Sequence, residues 1–407
     1  MRASFESGGL RRLIGLTLAT ILALSGCGSG SSGAGSKTYA PGAYAYVTSA
    51  GATPGSAGAV YEYAIGSDGS VSPLAQPSIG AGIDPAAVVV VGGGGYVYVV
   101  NAGDGSISQY NVASDGTLAA MSPATVTTPG MHTFGVAGAA ASLDPTESFL
   151  YVANTADNNV AQFSIGSDGQ LTALNPGAVA TGVGPVSIAA SGSNVYVVNS
   201  AAPGDAGSVI QYAAAVSGTL TPVNSNPVAA GTNPSVLAID DVSPAAYVLS
   251  NCDGTQCLGS IRQFTIGADG ALIDAGTVAT TGSHYRGAGM SFHQDGFNDY
   301  AYVLTNEMSV DTEGGALWSF QAGASGALIA ATPPSLTISG VAVTQIIESG
   351  ALYVLTTNSG VIANTPATGG SIVAYSLGTG GTVTLQAATK LLAPYPSALG
   401  ILVLLPP

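Results

Sequence analysis

A chain of 407 residues with 46% hydrophobic residues carries enough apolar material for a large core and too much to stay disordered. Only 7 residues are basic against 22 acidic, a formal net charge of −15, which argues against nucleic acid or an anionic membrane surface as a partner. Beyond residue 30 the composition turns to Val, Thr, Tyr and Ile broken by Gly, Pro, Asn and Ser, the vocabulary of short strands and turns.

Residues 1–26 read as a targeting segment outside the fold. Arg11 and Arg12 precede an apolar run from Leu13 to Leu24, and Ser25, Gly26 and Cys27 follow. Leu-Ser-Gly-Cys resembles the bacterial lipobox, which implies that Cys27 becomes the lipid-bearing first residue; an ordinary signal peptide cleaved near Gly26 is the alternative. Residues 27–42 form a Gly/Ser-rich tether with a root-mean-square span of roughly 20 Å. Processing removes three of the seven basic residues and one of the 22 acidic ones, so the mature chain carries 4 and 21, net −17. The apolar run is shorter than the roughly 18 residues a spanning helix needs, and no later run reaches that length. The expectation is a bacterial cell-envelope protein, at the outer membrane, in the periplasm or on the cell surface. It would be held by lipid alone, monomeric and without a nucleic-acid partner.

From residue 43 onward the chain repeats. Seven copies of an apolar strand centred on Tyr46, Tyr98, Tyr151, Tyr196, Tyr247, Tyr302 and Tyr353 are spaced by 52, 53, 45, 51, 55 and 51 residues. Each is followed by a segment with an aromatic, as in VYEYAI, ISQYNV and VAQFSI, and then by a glycine turn such as GSDG, ASDG or GADG. Three sevenfold features with strand composition and a period near 50 predict an all-β, seven-bladed β-propeller with four-stranded blades, spanning residues 43–407. Within a repeat, strand one precedes the tyrosine strand, strand two carries the tyrosine, strand three the aromatic, and strand four follows the glycine turn. The first repeat lacks a strand one, and YPSALGILVLLPP at the end matches strand one with no strand two after it. The last segment is therefore predicted to close blade one, leaving no open edge.

Propeller geometry sorts the loops onto two faces. Links between strands two and three share the mouth face with links from strand four into the next blade. His132, His284 and Arg286 are expected there in inter-blade links, with Glu307, Asp311 and Glu313 in the two-to-three loop of blade six. His293 falls near a hairpin on the opposite face. An Asn leaves strand two at Asn101, Asn154, Asn199, Asn251 and Asn306, with Asn358 one place later. These amides either ring the mouth as a sugar-binding set or stabilise the turn by side-chain to backbone bonds; the repetition favours the turn. The single Asp in each glycine turn lacks the clustered carboxylates of a calcium loop. Cys252 and Cys257 share one loop, and outside the cytoplasm a local disulfide is the expected state, with a redox or metal role as the alternative. No nucleophile elbow, phosphate loop or zinc-type His/Cys grouping occurs, so no metal or cofactor is expected.

Tyr-Val-Ala-Asn, Gln-Phe-Ser-Ile and Ser-Asp-Gly-Gln-Leu resemble the repeats of the seven-bladed lactonase propellers, the family that includes 6-phosphogluconolactonase and the fungal carboxymuconate cyclase. They also resemble the wider group named for a Tyr-Val-Thr-Asn repeat. The resemblance runs over residues 43 to 404 and implies the propeller fold. Blade six carries the nearest match to the enzymes: Phe292, His293, Asp295, Gly296, Asn306 and Glu307 align with the family's Phe-His-Pro-Asp-Gly and Asn-Glu elements. The enzymes' Arg-His pair falls on Ala288 and Gly289, with Arg286 two places off, and of a His-x-His element in blade three only His132 is retained, Phe134 replacing the second His. A hydrolase built on these residues would use His132 or Glu307 as base and Arg286 as oxyanion partner. With so few cations a phosphorylated lactone is disfavoured. Two functions stand: a lipid-anchored module binding a small ligand or protein at the channel mouth, or a hydrolase of a neutral lactone.

Overall fold

The computed structural model describes residues 43–403 other than 54, 92–94, 131–138, 202–205, 224–226, 241, 252–257, 284, 297, 308–313, 324–325, 340, 349, 358–368 and 392–395. Seven antiparallel sheets form a ring. The tyrosine strands are the second in each sheet: Ala43–Ser49, Tyr96–Asn101, Phe149–Asn154, Asn194–Asn199, Ala245–Ser250, Asp299–Glu307 and Ala351–Thr357. The innermost strands of blades two to seven are Pro85–Val91, Ala139–Leu143, Pro185–Ser191, Pro234–Asp240, Tyr285–Gln294 and Val341–Glu348. The C-terminal strand Pro396–Val403 pairs antiparallel with Ala43–Ser49 and supplies the innermost strand of blade one, as the repeat count requires. Each innermost strand touches the next, and the C-terminal one touches those of blades two and seven, so the circle closes. Blade four departs slightly: its outer strand is split into Leu220–Pro222 and Val228–Thr232, both paired with Ala206–Ala214.

Apolar burial follows the two-residue period of a strand, so successive side chains serve opposite seams. Tyr98 enters the cluster between blades two and three, while its neighbours Val97 and Val99 enter the one between blades one and two. Tyr196 and its flanking Val195 and Val197 do the same two seams further on. The described core is thus divided among the seams between blades.

The repeated polar residues bind one blade to the next. The buried hydroxyls of Tyr46, Tyr98, Tyr151, Tyr196 and Tyr247 donate to the carbonyls of Gly116, Gly169, Gly218, Gly270 and Gly326, each in the glycine turn of the following blade, over 2.5–3.0 Å. The strand-three Gln works beside them. Gln162 Oε1 accepts from Leu220 N of blade four at 2.6 Å, and its Nε2 donates to Pro176 O of its own blade at 3.0 Å. Gln109 and Gln211 accept from Leu171 N and Leu272 N in the same way, and in blade one Glu62 replaces Gln, accepting from Leu118 N at 2.8 Å. The turn glycine is required twice over. Gly169 has φ +79°, and a Cβ there would lie 2.5 Å from the Tyr96 ring. In the same turn Asp168 Oδ1 accepts from Gln170 N at 3.0 Å, so the repeated Asp fixes backbone. The pattern changes at blade six. Ser319 stands at the Gln position and donates to Gly381 O at 2.8 Å, and the buried Tyr302 hydroxyl has no hydrogen-bond partner among the described residues.

Candidate functional site

The mouth face is fixed by pairing register. The start of each innermost strand lies against the end of the tyrosine strand: Pro85 opposite Asn101, Pro185 opposite Asn199, and in blade six Tyr285 opposite Glu307 and Arg286 opposite Asn306. Arg286 and Glu307 thus belong to strands, not to the inter-blade link and loop the sequence suggested. The reason is that both strands of blade six are longer, Tyr285–Gln294 and Asp299–Glu307, than the six- or seven-residue strands of blades two, four and five. Arg286 is exposed at the mouth. Next to it the Tyr285 ring meets Trp318 edge-on, centroids 5.6 Å apart, and Trp318 Nε1 donates to Thr305 Oγ1 at 3.0 Å.

Asn306 is held by its neighbour blade. Its Nδ2 donates to Ala342 O and its Oδ1 accepts from Ala342 N, both at 2.7 Å. The other strand-two amides also turn inward. Asn101 is buried, accepts from Gly82 N at 3.1 Å and donates to the hydroxyls of Ser106 and Ser108 at 3.0 Å. Asn154 donates to Asn159 Oδ1 at 2.6 Å, Asn199 accepts from Thr181 Oγ1 at 3.1 Å, and Asn251 accepts from Gly287 N at 2.8 Å. These are the bonds of turns and seams, and they account for why Asn recurs. Cys27, His132, Cys252, Cys257, His284, Asp311, Glu313 and Asn358 lie outside the described residues.

Two further findings define the chemistry. Arg262, on strand three of blade five, forms a two-pronged ion pair with Asp274 of the adjoining strand, Nε to Oδ1 at 2.9 Å, and this pairing holds the Asp274 carboxyl below its ordinary range. Its charge is thus neutralised within blade five. The second concerns Ala288 and Gly289, which stand where the resembling enzymes carry Arg-His. The register shifts between Gly287 and Gly289, a bulge in the innermost strand. A Cβ on Gly289 would lie 2.8 Å from Gln345 Cγ, and one on Gly287 would lie 2.1 Å from Leu249 Cδ2. Gln345 reaches over from blade seven and donates to Tyr302 O at 2.7 Å and to Ser291 Oγ at 3.3 Å. The space for larger side chains at these positions is therefore filled. Sequence reading passed over Gln345; its only signal was a Thr-Gln pair inside the otherwise apolar VAVTQII. Among the described residues no group of three or more His, Cys, Asp and Glu is arranged to hold a metal ion.

A family model described as Lactonase, 7-bladed beta-propeller matches residues 40–199. No curated protein matches the chain in sequence. Among solved structures, a putative 6-phosphogluconolactonase from Bacteroides uniformis is similar at 15% identity and TM-score 0.63, covering 89% of this chain and 100% of that one. A second putative 6-phosphogluconolactonase, from Bacteroides fragilis, is similar at 17% identity and TM-score 0.62, covering 89% and 98%. The periplasmic gluconolactonase of Pseudomonas aeruginosa is similar at 19% identity and TM-score 0.57, covering 89% and 99%. With the sevenfold repeat in sequence and the closed ring of seven sheets in structure, these likenesses show the fold: a seven-bladed β-propeller, whose first three blades match the lactonase model.

Proposed function

We propose that the protein is a lipid-anchored propeller of the cell envelope that binds a neutral, hydroxyl-rich ligand at the blade-six side of its mouth. The carrying observation is the bulged Gly287-Ala288-Gly289 strand packed under Gln345, which occupies the place of the enzymes' Arg-His pair. Arg286 remains as an exposed donor on a rigid strand, beside the Tyr285–Trp318 aromatic pair. A guanidinium next to aromatic faces suits hydroxyl and ring-oxygen acceptors on a flat sugar-like ligand. A phosphomonoester carries nearly two negative charges near neutral pH, and a mature chain at −17 offers it little. The likeness to a periplasmic gluconolactonase supports an envelope location and a sugar-lactone-sized ligand. Calorimetric titration of neutral sugar lactones into wild-type protein and Arg286→Ala tests the binding: at least tenfold weaker binding by the variant is expected, and equal binding would reject Arg286 as a contact.

The second reading is hydrolysis of a neutral lactone, favoured by the retained Phe292-His293, Asp295-Gly296 and Asn306-Glu307 elements and by the register that sets Arg286 beside Asn306. In that case Glu307→Ala or His132→Ala abolishes turnover. Anchoring is tested separately: Cys27→Ser is expected in the soluble fraction, and a variant that still needs detergent for release would refute the lipid anchor.

A further inference from the structure

On the face opposite the mouth, the seam between blades five and six contains two buried carboxyl groups. Asp240 ends the innermost strand Pro234–Asp240 and is 0% exposed; Asp299 begins the tyrosine strand Asp299–Glu307 and is 7% exposed. Asp240 uses Oδ1 to accept from Val242 N at 2.9 Å and Ser243 N at 3.2 Å, capping its own hairpin. The Oδ2 atoms of both residues are buried and have no hydrogen-bond partner among the described residues. The Asp240 carboxyl is the neighbouring acid that acts on Asp299, so the two carboxyls lie together in the seam. Two buried oxygens without donors, set together in an apolar seam lined by Ala238, Tyr247, Ala301 and Val303, cannot both be anionic acceptors.

We propose that Asp240 and Asp299 share one proton across this seam, forming an acid–carboxylate latch that loosens when the proton is lost. The O–H of one carboxyl donates to the other, and no ion of opposite sign is needed. Asp is absent at the place of Asp299 in the other six repeats, where Ala43, Gly95, Ser148, Ser193, Pro244 and Gly350 stand, so the pair is particular to this seam. Burial, followed by the bond to Asp240 and its charge, pushes the Asp299 carboxyl well above its ordinary range. Other titratable groups near the seam are Tyr247 from blade five, whose phenol is raised by burial and by both carboxyls, Tyr300 and Tyr302 on the strand of Asp299, Asp295 in its hairpin, and His293 across from Tyr300. The tyrosine phenols stay neutral throughout the range concerned. His293→Gln serves as the control for the nearby imidazole.

The sign is fixed by linkage. A carboxyl that keeps its proton in the folded state but loses it when unfolded makes stability fall as pH rises, from the ordinary Asp range up to the folded value. The test is chemical unfolding of the full chain from pH 5 to pH 8 for wild type, Asp299→Asn and His293→Gln. An Asn amide donates to Asp240 permanently and imitates the shared proton. The wild-type unfolding constant, relative to that of Asp299→Asn, is expected to rise up to about tenfold per pH unit across this range. It should do so in the His293→Gln background too. A flat ratio would overturn the latch. Should Asp299→Asn fail to fold, Asp240→Asn gives the same comparison, since its amide oxygen can still cap the hairpin. Infrared spectroscopy at pH 7 supplies a direct readout: the carbonyl stretch of a protonated carboxylic acid is expected in wild type and lost in either variant. Stabilisation by added Ca²⁺ in wild type but not in Asp299→Asn would instead put a metal between the carboxyls and refute the shared proton.

Discussion

Replacing Gln162 with Met separates the inter-blade latch from simple space filling. Gln162 is fully buried, and Met fills nearly the same volume while removing both hydrogen bonds. The Leu220 N–H, at a residue 4% exposed, then has no acceptor, and the Pro176 carbonyl loses its donor. Stranding a buried polar group costs about 1–3 kcal/mol, so two give about 2–5 kcal/mol, part of it recovered if water reaches Pro176 from the outer rim. Unfolding entropy of about 2.1 cal/mol/K per residue over roughly 360 residues is ~0.8 kcal/mol/K, which turns that cost into a fall in Tm of ~3–6 °C. The assay is calorimetry of wild type and Gln162→Met, with urea unfolding to check that the m-value is unchanged. A Tm within a degree of wild type would refute the latch and leave the repeated Gln without an energetic role.

Glu62 occupies the same position in blade one, and burial raises its carboxyl above the ordinary range despite the bonds from Leu118 N and Gln76. A raised acid is an increasing liability as pH climbs above its unfolded value, so Glu62→Gln is expected to gain Tm over wild type as pH rises from about 4, as measured in a pH series; a gain only at acid pH would contradict this. Gly289→His drives a side chain into Gln345 and is expected to cost about 1–3 kcal/mol in urea unfolding. Unchanged stability would mean the bulge can open. Deleting residues 396–407 strips the innermost strand from blade one and exposes the edge of Ala43–Ser49. Light scattering is expected to show aggregation well below the wild-type Tm, and a deletion that melts like wild type would contradict the ring closure.

Sequence made the blades legible because their residues repeat. The Tyr151 and Gly169 positions recur in every blade and the Gln162 amide in four of them, since most seams need the same hydroxyl, amide and bare backbone, and periodicity exposes a requirement met several times over. The missing first strand and surplus last strand revealed the closure for the same reason. What recurrence did not reveal is which groups meet across a seam: Tyr98 reaches Gly169, 71 positions away, and nothing in either segment says so. Features that occur once left still less trace. Gln345 filling the space above Gly289, Arg262 committed to Asp274, and Asp240 facing Asp299 each depend on a side chain from a neighbouring strand or blade. Arg286 falls within a strand and not in the expected inter-blade link because the blade-six strands are unusually long, a length the repeat pattern does not announce.

The central claim, a mouth that binds neutral ligands and does not serve phosphorylated lactones, is tested most directly by following hydrolysis of 6-phosphogluconolactone against a buffer blank. Purified full-length protein is compared with Arg286→Ala near neutral pH. A rate equal to the blank for both proteins is the predicted result, because one exposed guanidinium at the mouth of a chain at net −15 gives a dianionic substrate little binding and its oxyanion little support. Efficient turnover by wild type that disappears in Arg286→Ala would contradict the account and make blade six a phosphosugar lactonase site.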